Sequence, residues 1–464
     1  MKNKQPLVLA MAALALTFSF QAKATVIAVI DSGVDLSHPD LVNHKWTNPI
    51  DIDDGVDNDD NGYIDDINGW NFADNNNKLY DKNFLGKFSP DTYKYFEVQT
   101  KLLRGTGTQE DLAWIRAKQK DDKFIAELET FANFVHGSHV SGIASRNSPG
   151  AQIMGLKIMA TKKPTIGGSA TGSMGGAGTP PAACAVNKKV PDSLIKAGIT
   201  LLAQAQGKAM VPFGKYVNME KARVANCSFG VSTAAAKGIL KPLLTTIMRC
   251  TPSDAVVERY SVFFVNQVVE SQKVLMTSAP KTLFVIAAGN DGSDNDVLPA
   301  APANIKMDNT ITVAATLDYS KIASFSNFGK TMVDVAAPGV GIESSIPGNM
   351  HLTVSGTSQA SPFVANIAGQ LLDQNPALTN AELKKILMGT VDTKQWLHGK
   401  VASQGIVNTD RAIMAAKLSK SQGIETAINS ARAQVADVVA KLPTQKNGIL
   451  PDYEGFVMPL PTLF

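Results

Sequence analysis

Short apolar runs rich in β-branched residues alternate along the chain with helix-like stretches, and that alternation restricts the fold more than any other feature. The runs cover residues 26–30, 153–159, 223–228, 283–287 and 311–315, and helical patterns fall at 192–206, 256–277, 361–375 and 380–389. Strands that alternate with helices imply βαβ units, hence an α/β fold with a mainly parallel central sheet flanked by helices. Ligands of such sheets gather at the carboxyl ends of the strands. Asp31 closes the first run and Asn290 follows the fourth, so both are placed where chemistry is expected.

With 464 residues, 44% of them hydrophobic, the chain can bury one large core or two modest ones. Its net charge of +3 carries no polybasic run, and nucleic acid is not among the expected partners. The first residues are Met1-Lys2-Asn3-Lys4, followed by an apolar stretch over 7–20 and by Ala22-Lys23-Ala24. That is the layout of a secretory signal with an A-x-A cleavage site, so residues 1–24 are expected to be removed on export, to a periplasm or beyond. The stretch is shorter than the roughly 20 apolar residues that span a bilayer, and no later run reaches that length. Of the three cysteines, Cys227 sits in a predicted buried strand and reads as a core residue. Cys184 and Cys250 can pair, although spacing alone does not decide it, and no CxxC or His-rich pattern supports zinc.

The segment Ser355-Gly356-Thr357-Ser358-Gln359-Ala360-Ser361-Pro362 places a serine after a small glycine-containing turn and at the start of a predicted helix. A serine hydroxyl is a weak nucleophile that needs a base, and a helix start favours negative charge developing nearby. Taken alone, the same string describes an ordinary serine N-cap with Pro362 in the first turn. His136-Gly137-Ser138-His139-Val140-Ser141-Gly142 supplies a histidine on a stretch of small residues that permits close packing. Asp31, at a strand end, can orient an imidazole or simply form a turn.

Together these segments resemble the subtilisin-like serine proteases, the subtilases. The histidine string matches the family's His-Gly-Thr-His-Val-Ala-Gly with two conservative changes, and Ala288-Gly289-Asn290 matches its Ala-Gly-Asn segment. The resemblance implies a three-layer subtilisin-like fold over 25–412, with insertions at about 47–128, 161–190, 207–221 and 233–278, and an extension over 413–464 that is helical at first. It also implies a serine endopeptidase acting on polypeptides through an acyl-enzyme, with no cofactor needed for the chemistry. Ser358 is then the nucleophile, His136 the general base and acid, Asp31 its partner and Asn290 an oxyanion donor, with His139 structural. Asp…His…Ser is the order found in subtilisin. Ser228, Phe229 and Gly230 correspond to the family's substrate-binding edge, with Ala288 and Gly289 beside it; Phe229 fits a pocket wall or the core. The Gly-rich stretch 167–178 falls where the opposite substrate strand is expected. Oligomeric state is not indicated.

Two other readings compete. Gly356-Thr357-Ser358-Gln359-Ala360 is close to the elbow of α/β-hydrolase esterases, whose order requires an aspartate and then a histidine after the serine, met only by Asp392 or Asp373 with His398. That reading leaves the motifs at Asp31, His136 and Asn290 unexplained. The other is a silent or tail-inhibited peptide-binding relative. A start at Thr25 would leave no room for an N-terminal pro-segment, so either folding proceeds unaided or another segment takes that role, one hypothesis being that the C-terminal tail covers the cleft until it is cut.

Finally, Asp57-Asn58-Asp59-Asp60-Asn61-Gly62-Tyr63-Ile64-Asp65-Asp66 alternates oxygen ligands ahead of a turn glycine, like the first half of an EF-hand loop. Asp57, Asp59, Asn61, the Tyr63 carbonyl and Asp65, or Asp66 in its place, are expected to bind a structural calcium ion. The glutamate that ends such a loop is missing, since residue 68 is asparagine.

Overall fold

Every residue of the strands Leu283–Ala287 and Thr310–Leu317 is buried, which requires cover on both faces of the sheet they belong to. The computed structural model describes residues 24–162, 182–184, 190–440, 457 and 460–462. The expected leader, apart from Ala24, and the Gly-rich stretch 167–178 lie outside the described residues. The chain opens with β1 (Thr25–Asp31), β2 (Gly69–Asn71), α1 (Pro90–Leu103), α2 (Gln109–Lys118), α3 (Asp122–Ser145) and β3 (Ala151–Lys157). It continues through α4 (Asp192–Met219), β4 (Val224–Cys227), β5 (Val231–Ser232), α5 (Thr233–Met248), α6 (Asp254–Ser278), β6 (Leu283–Ala287) and β7 (Ala300–Ala301). Then come β8 (Thr310–Leu317), β9 (Lys321–Ile322), β10 (Val335–Pro338), the hairpin of β11 (Ile342–Ile346) and β12 (Met350–Val354), and α7 (Thr357–Gln374). Last are α8 (Asn380–Gly389), β13 (Asp392–Thr393), β14 (Gly405–Ile406), α9 (Thr409–Leu418) and α10 (Ile424–Gln434).

The main sheet runs β13-β14-β10-β8-β6-β4-β1-β3-β2, with β9 also on β8. Its pairings are parallel except for the short β13–β14 and β8–β9 contacts. From β1 the chain builds first to one side, through β3 and β2, and then to the other, through β4 and β6. That reversal opens a crevice at the carboxyl end of β1.

Alternate residues of β1 serve opposite layers. Ile27 and Val29 join Val140 of α3 and Val364, Ile367 and Leu371 of α7 in one core. Ala28 and Ile30 join Ile199, Met210 and Tyr216 of α4 and Phe264 of α6 in the other. This is the three-layer α/β plan expected. A third cluster gathers aromatic residues of α1 and α3, among them Tyr95, Phe96, Phe124 and Phe131, against Ile346 and Leu352 of the hairpin.

Three expected boundaries fall inside helices. Asp121 caps α3 by accepting from the Lys123 and Phe124 N–H groups, so this helix starts before 128 and runs through His136. The stretch 207–221 mostly continues α4 despite Pro212. Its glycines mark close helix contact, since a Cβ on Gly207 or Gly214 would lie 2.4 Å from Ser271 O or 2.5 Å from Leu275 O of α6. Residue 412 lies within α9, and Ala415 and Ala416 of that helix and Ile428 and Ala431 of α10 pack into the main core.

Arg411 holds this last part in place. It is 4% exposed, pairs with Asp392 at 3.0 Å, and donates to the carbonyls of Val391 and Val435 at 3.0 and 2.8 Å. Removing the guanidinium leaves Asp392 buried and uncompensated, so Arg411→Met should cost about 3–5 kcal/mol in urea unfolding. A loss under about 1 kcal/mol, the range of exposed pairs, would contradict that account.

Candidate active site

At the carboxyl end of β1, Asp31 is 1% exposed, and its Oδ1 accepts from the Ser32 N–H at 2.7 Å and from His136 Nδ1 at 2.6 Å. The imidazole reaches it because α3 lies almost on the β1 turn. A Cβ on Gly137 would fall 2.1 Å from Gly33 O, so only glycine fits there. Successive residues fasten the contact: the Gly137 N–H donates to Ser32 Oγ at 3.2 Å, and the Asp35 N–H donates to Ser138 Oγ at 2.9 Å. The small-residue face predicted around His136 thus serves to bring helix and turn together. His139 is fully buried and contacts the hairpin carbonyls of Leu352 and Ile342 through Nε2 at 2.9 and 3.2 Å. Burial pushes its pKa down to about 3, which keeps it neutral and structural.

Ser358 is the second residue of α7 and is 4% exposed. Its hydroxyl rests on Ser228 O at 3.4 Å, and it lines the same cavity as His136 and Asn290. Asn290 is oriented from one end. Its Oδ1 accepts from the Thr357 N–H at 2.9 Å and from the Thr357 hydroxyl at 2.8 Å, and that hydroxyl accepts from the Gly289 N–H at 3.2 Å. The amide nitrogen therefore lies on the other side, where a Cβ on Gly356 would come within 3.4 Å of it. An asparagine N–H₂ and the first N–H groups of a helix thus flank Ser358, a setting for an oxygen that gains negative charge.

The residues expected at the substrate edge divide between a pocket and the core. Gly230 and Gly289 line a small pocket with Val231 and Ala300, and Ser228 Oγ donates to Ser358 O at 3.2 Å. Ala288 is buried in the core beneath the site. Phe229, offered as a pocket wall or a core residue, proves to be core: it is 2% exposed and clusters with Ile286 and Ala301. Phe96 of α1 and Glu129 and Asn133 of α3 form a cavity wall that no motif announced. The spacing of 129, 133 and 136 on one helix was the available signal. Cys227 is buried and unpaired, as expected, with its thiol pKa pushed up by burial, and Cys184 is bonded to Cys250.

The acidic loop departs from the EF-hand pattern. Asp57 accepts from the backbone N–H groups of Asn61 and Gly62, and Asp65 from those of Asp54 and Gly55. Both carboxylates are thus turned to their own loop. The Tyr63 ring packs edge-on against Trp70, Phe72 and Tyr216. Asp59 and Asp66 converge instead with Asp51, which the motif did not include, and one oxygen of each lies within 4.8 Å of the others. Asn48 donates to Asp59 and Asp66, and Asn61 to Asp59, Asp66 and Glu220. Burial, with a further push from Asp51, raises the Asp66 pKa to about 6. Burial and the charges of Asp66 and Asp59 raise that of Glu220 to about 7. Crowded, desolvated carboxylates with raised pKa values form an oxygen donor set that suits a hard divalent cation.

Residues 102–424 match the model of the subtilase family, a stretch that holds His136, Asn290 and Ser358; Asp31 precedes it and is tied to the site by its contact with His136. The chain is 34% identical over 145 residues to the alkaline elastase YaB of a Bacillus species, covering 30% of this chain and 35% of that one. It is 40% identical over 143 residues to an extracellular protease of Xanthomonas campestris, covering 29% and 24%. The chain therefore spans about a third or less of the length of these relatives. A cold-adapted subtilisin-like serine proteinase of known structure aligns with 88% of this chain and 93% of its own, at 19% identity and a TM-score of 0.42.

The helix-to-turn contact can be tested by stability. Gly137→Ala forces a methyl into the Gly33 carbonyl and should cost about 1–3 kcal/mol in urea unfolding. Ser141→Ala, which removes only a hydroxyl bonded back to Gly137 O at 2.7 Å, should cost about 1 kcal/mol or less. Equal effects would mean that the close approach is not the constraint.

Proposed function

The chain belongs to the subtilase family, and on that premise we propose that it is an exported serine endopeptidase that hydrolyses peptide bonds through an acyl-enzyme. The observation that carries the reading is the convergence of Asp31, His136, Asn290 and Ser358, from four separate segments, on one crevice. Ser358 Oγ turns from the Ser228 carbonyl toward His136, gives up its proton to Nε2 and attacks the substrate carbonyl. Asp31 accepts the Nδ1–H and balances the imidazolium that forms. The carbonyl oxygen, now an oxyanion, accepts from Asn290 Nδ2 and the Ser358 N–H. His136 then protonates the leaving amine, and water, deprotonated by the same imidazole, releases the acid and restores the serine.

Export is supported by the leader at the N-terminus and by the Cys184–Cys250 disulfide, a bond favoured in oxidising compartments. The chemistry uses no cofactor. Calcium is proposed as a structural ion, held by Asp51, Asp59 and Asp66 with Asn48, Asn61 and Glu220 around them. It would bind the first insertion to the end of α4, which Glu220 follows.

Turnover of a fluorogenic peptide tests the chemistry. Ser358→Ala should lower it by on the order of 10⁶ and Asn290→Ala by about 10²–10³, magnitudes carried over from subtilisin, the type enzyme of the family. Undiminished turnover in Ser358→Ala would sink the assignment. Thermal unfolding tests the ion: saturating calcium should raise the Tm by about 3–8 °C over chelator. Asp66→Asn should abolish that difference, and a wild-type Tm indifferent to calcium would remove the site.

A further inference from the structure

The described part of the C-terminal tail lies in the crevice. Leu460, Pro461 and Thr462 line the same cavity as His136, Asn290 and Ser358. The Gly230 N–H donates to Pro461 O at 2.9 Å, a backbone bond between the tail and the segment that follows β4. Leu460 is 9% exposed and also lines the pocket formed by Gly230, Val231, Gly289, Ala300 and Ala303. Nearby, Val457 is 7% exposed and belongs to the main core. Among the described residues, two buried aliphatic side chains and a backbone hydrogen bond help to hold the tail. Pro461 has a fixed φ and no N–H, so this segment is set near an extended form and loses little freedom on seating.

We infer that Leu460-Pro461-Thr462 is an intramolecular ligand of the substrate cleft, which closes the site to other polypeptides and marks its small pocket as one for an aliphatic side chain. The inference rests on the protease reading for its consequence but not for the seat itself. An extended peptide recognised at an open backbone edge pairs main-chain groups and places side chains in pockets. The tail does both, with Pro461 O on Gly230 and the buried Leu460 against a pocket of glycine, alanine and valine that Ser232 and Asp291 also line. A substrate that needs the same N–H and the same pocket must displace it. The segment therefore competes at the high effective concentration of a tethered ligand.

The full chain carries the test. In a Ser358→Ala background, which prevents self-cleavage, hydrogen exchange is read at the peptide containing the Gly230 amide. Leu460→Asp removes the buried leucine and puts a carboxylate beside Asp291, which lines the same pocket, and should speed that exchange by on the order of ten- to hundredfold, the equilibrium cost of losing one buried leucine. In the chain that retains Ser358, the same substitution should raise kcat/KM on a fluorogenic peptide by a similar factor. A synthetic peptide of residues 458–464 added to Leu460→Asp should lower turnover again, and the same peptide with Asp in place of Leu should not. Unchanged exchange at Gly230 would overturn the seat, and faster exchange with unchanged turnover would overturn the closure. Faster exchange with no turnover in either chain would uphold the seat while refuting the protease reading.

Discussion

The site depends on the approach of α3 to the turn after β1, which brings His136 Nδ1 to 2.6 Å from Asp31. The approach is possible because Gly137 has no side chain to meet Gly33 O. It is kept by Ser32 and Ser138, whose hydroxyls accept N–H groups across the gap. One turn further on, His139 is buried and neutral, so α3 can be fastened to the β11–β12 hairpin without bringing a second charge beside the first. The other half of the site hangs on Thr357. That residue orients Asn290 through two hydrogen bonds and precedes the serine at the start of α7. The functional groups are thus positioned largely by hydrogen bonds between segments, which the parallel sheet brings together.

The segment between β1 and α3 does more than join Asp31 to His136. Its aromatic residues form a core with those of α3 against the hairpin, so the helix that bears His136 is anchored well before the histidine. Phe96, Glu129 and Asn133 then supply one wall of the cavity. At its other end the segment carries Asp59 and Asp66, which share Asn61 with Glu220. The same segment therefore contributes to a cleft wall and meets α4.

What could be read from the sequence follows the range of the interactions. The run 283–287 is β6, and 380–389 is α8, because continuous burial and a Thr379–Glu382 capping box are local signals. Asp31, His136, Asn290 and Ser358, which meet at one crevice, could be singled out because each sits in a short string that resembles a subtilase segment. Asp51 and Glu220 were not. Glu220 meets the acidic loop only after folding, and Asp51, which accepts from the nearby Asn58 N–H at 2.9 Å, stands ahead of the alternating pattern. Asp57 and Asp65 fit the ligand pattern yet hold the loop's own N–H groups, since an alternation of aspartates serves turns as well as ions. Phe229 was ambiguous because the strand edge and the core lie one residue apart. The stretch 207–221, expected as an insertion, mostly continues α4, and its Gly207 and Gly214 mark the contact between α4 and α6.

The central claim is that Ser358 is a nucleophile activated by His136 and Asp31. Intact-mass analysis after reaction with a serine-directed fluorophosphonate, carried to completion on the folded wild type and on Ser358→Ala, tests it most directly. The account predicts one adduct on the wild type, mapped to Ser358 by peptide analysis, and none on the variant. An adduct on another serine, or equal labelling of both proteins, would contradict it.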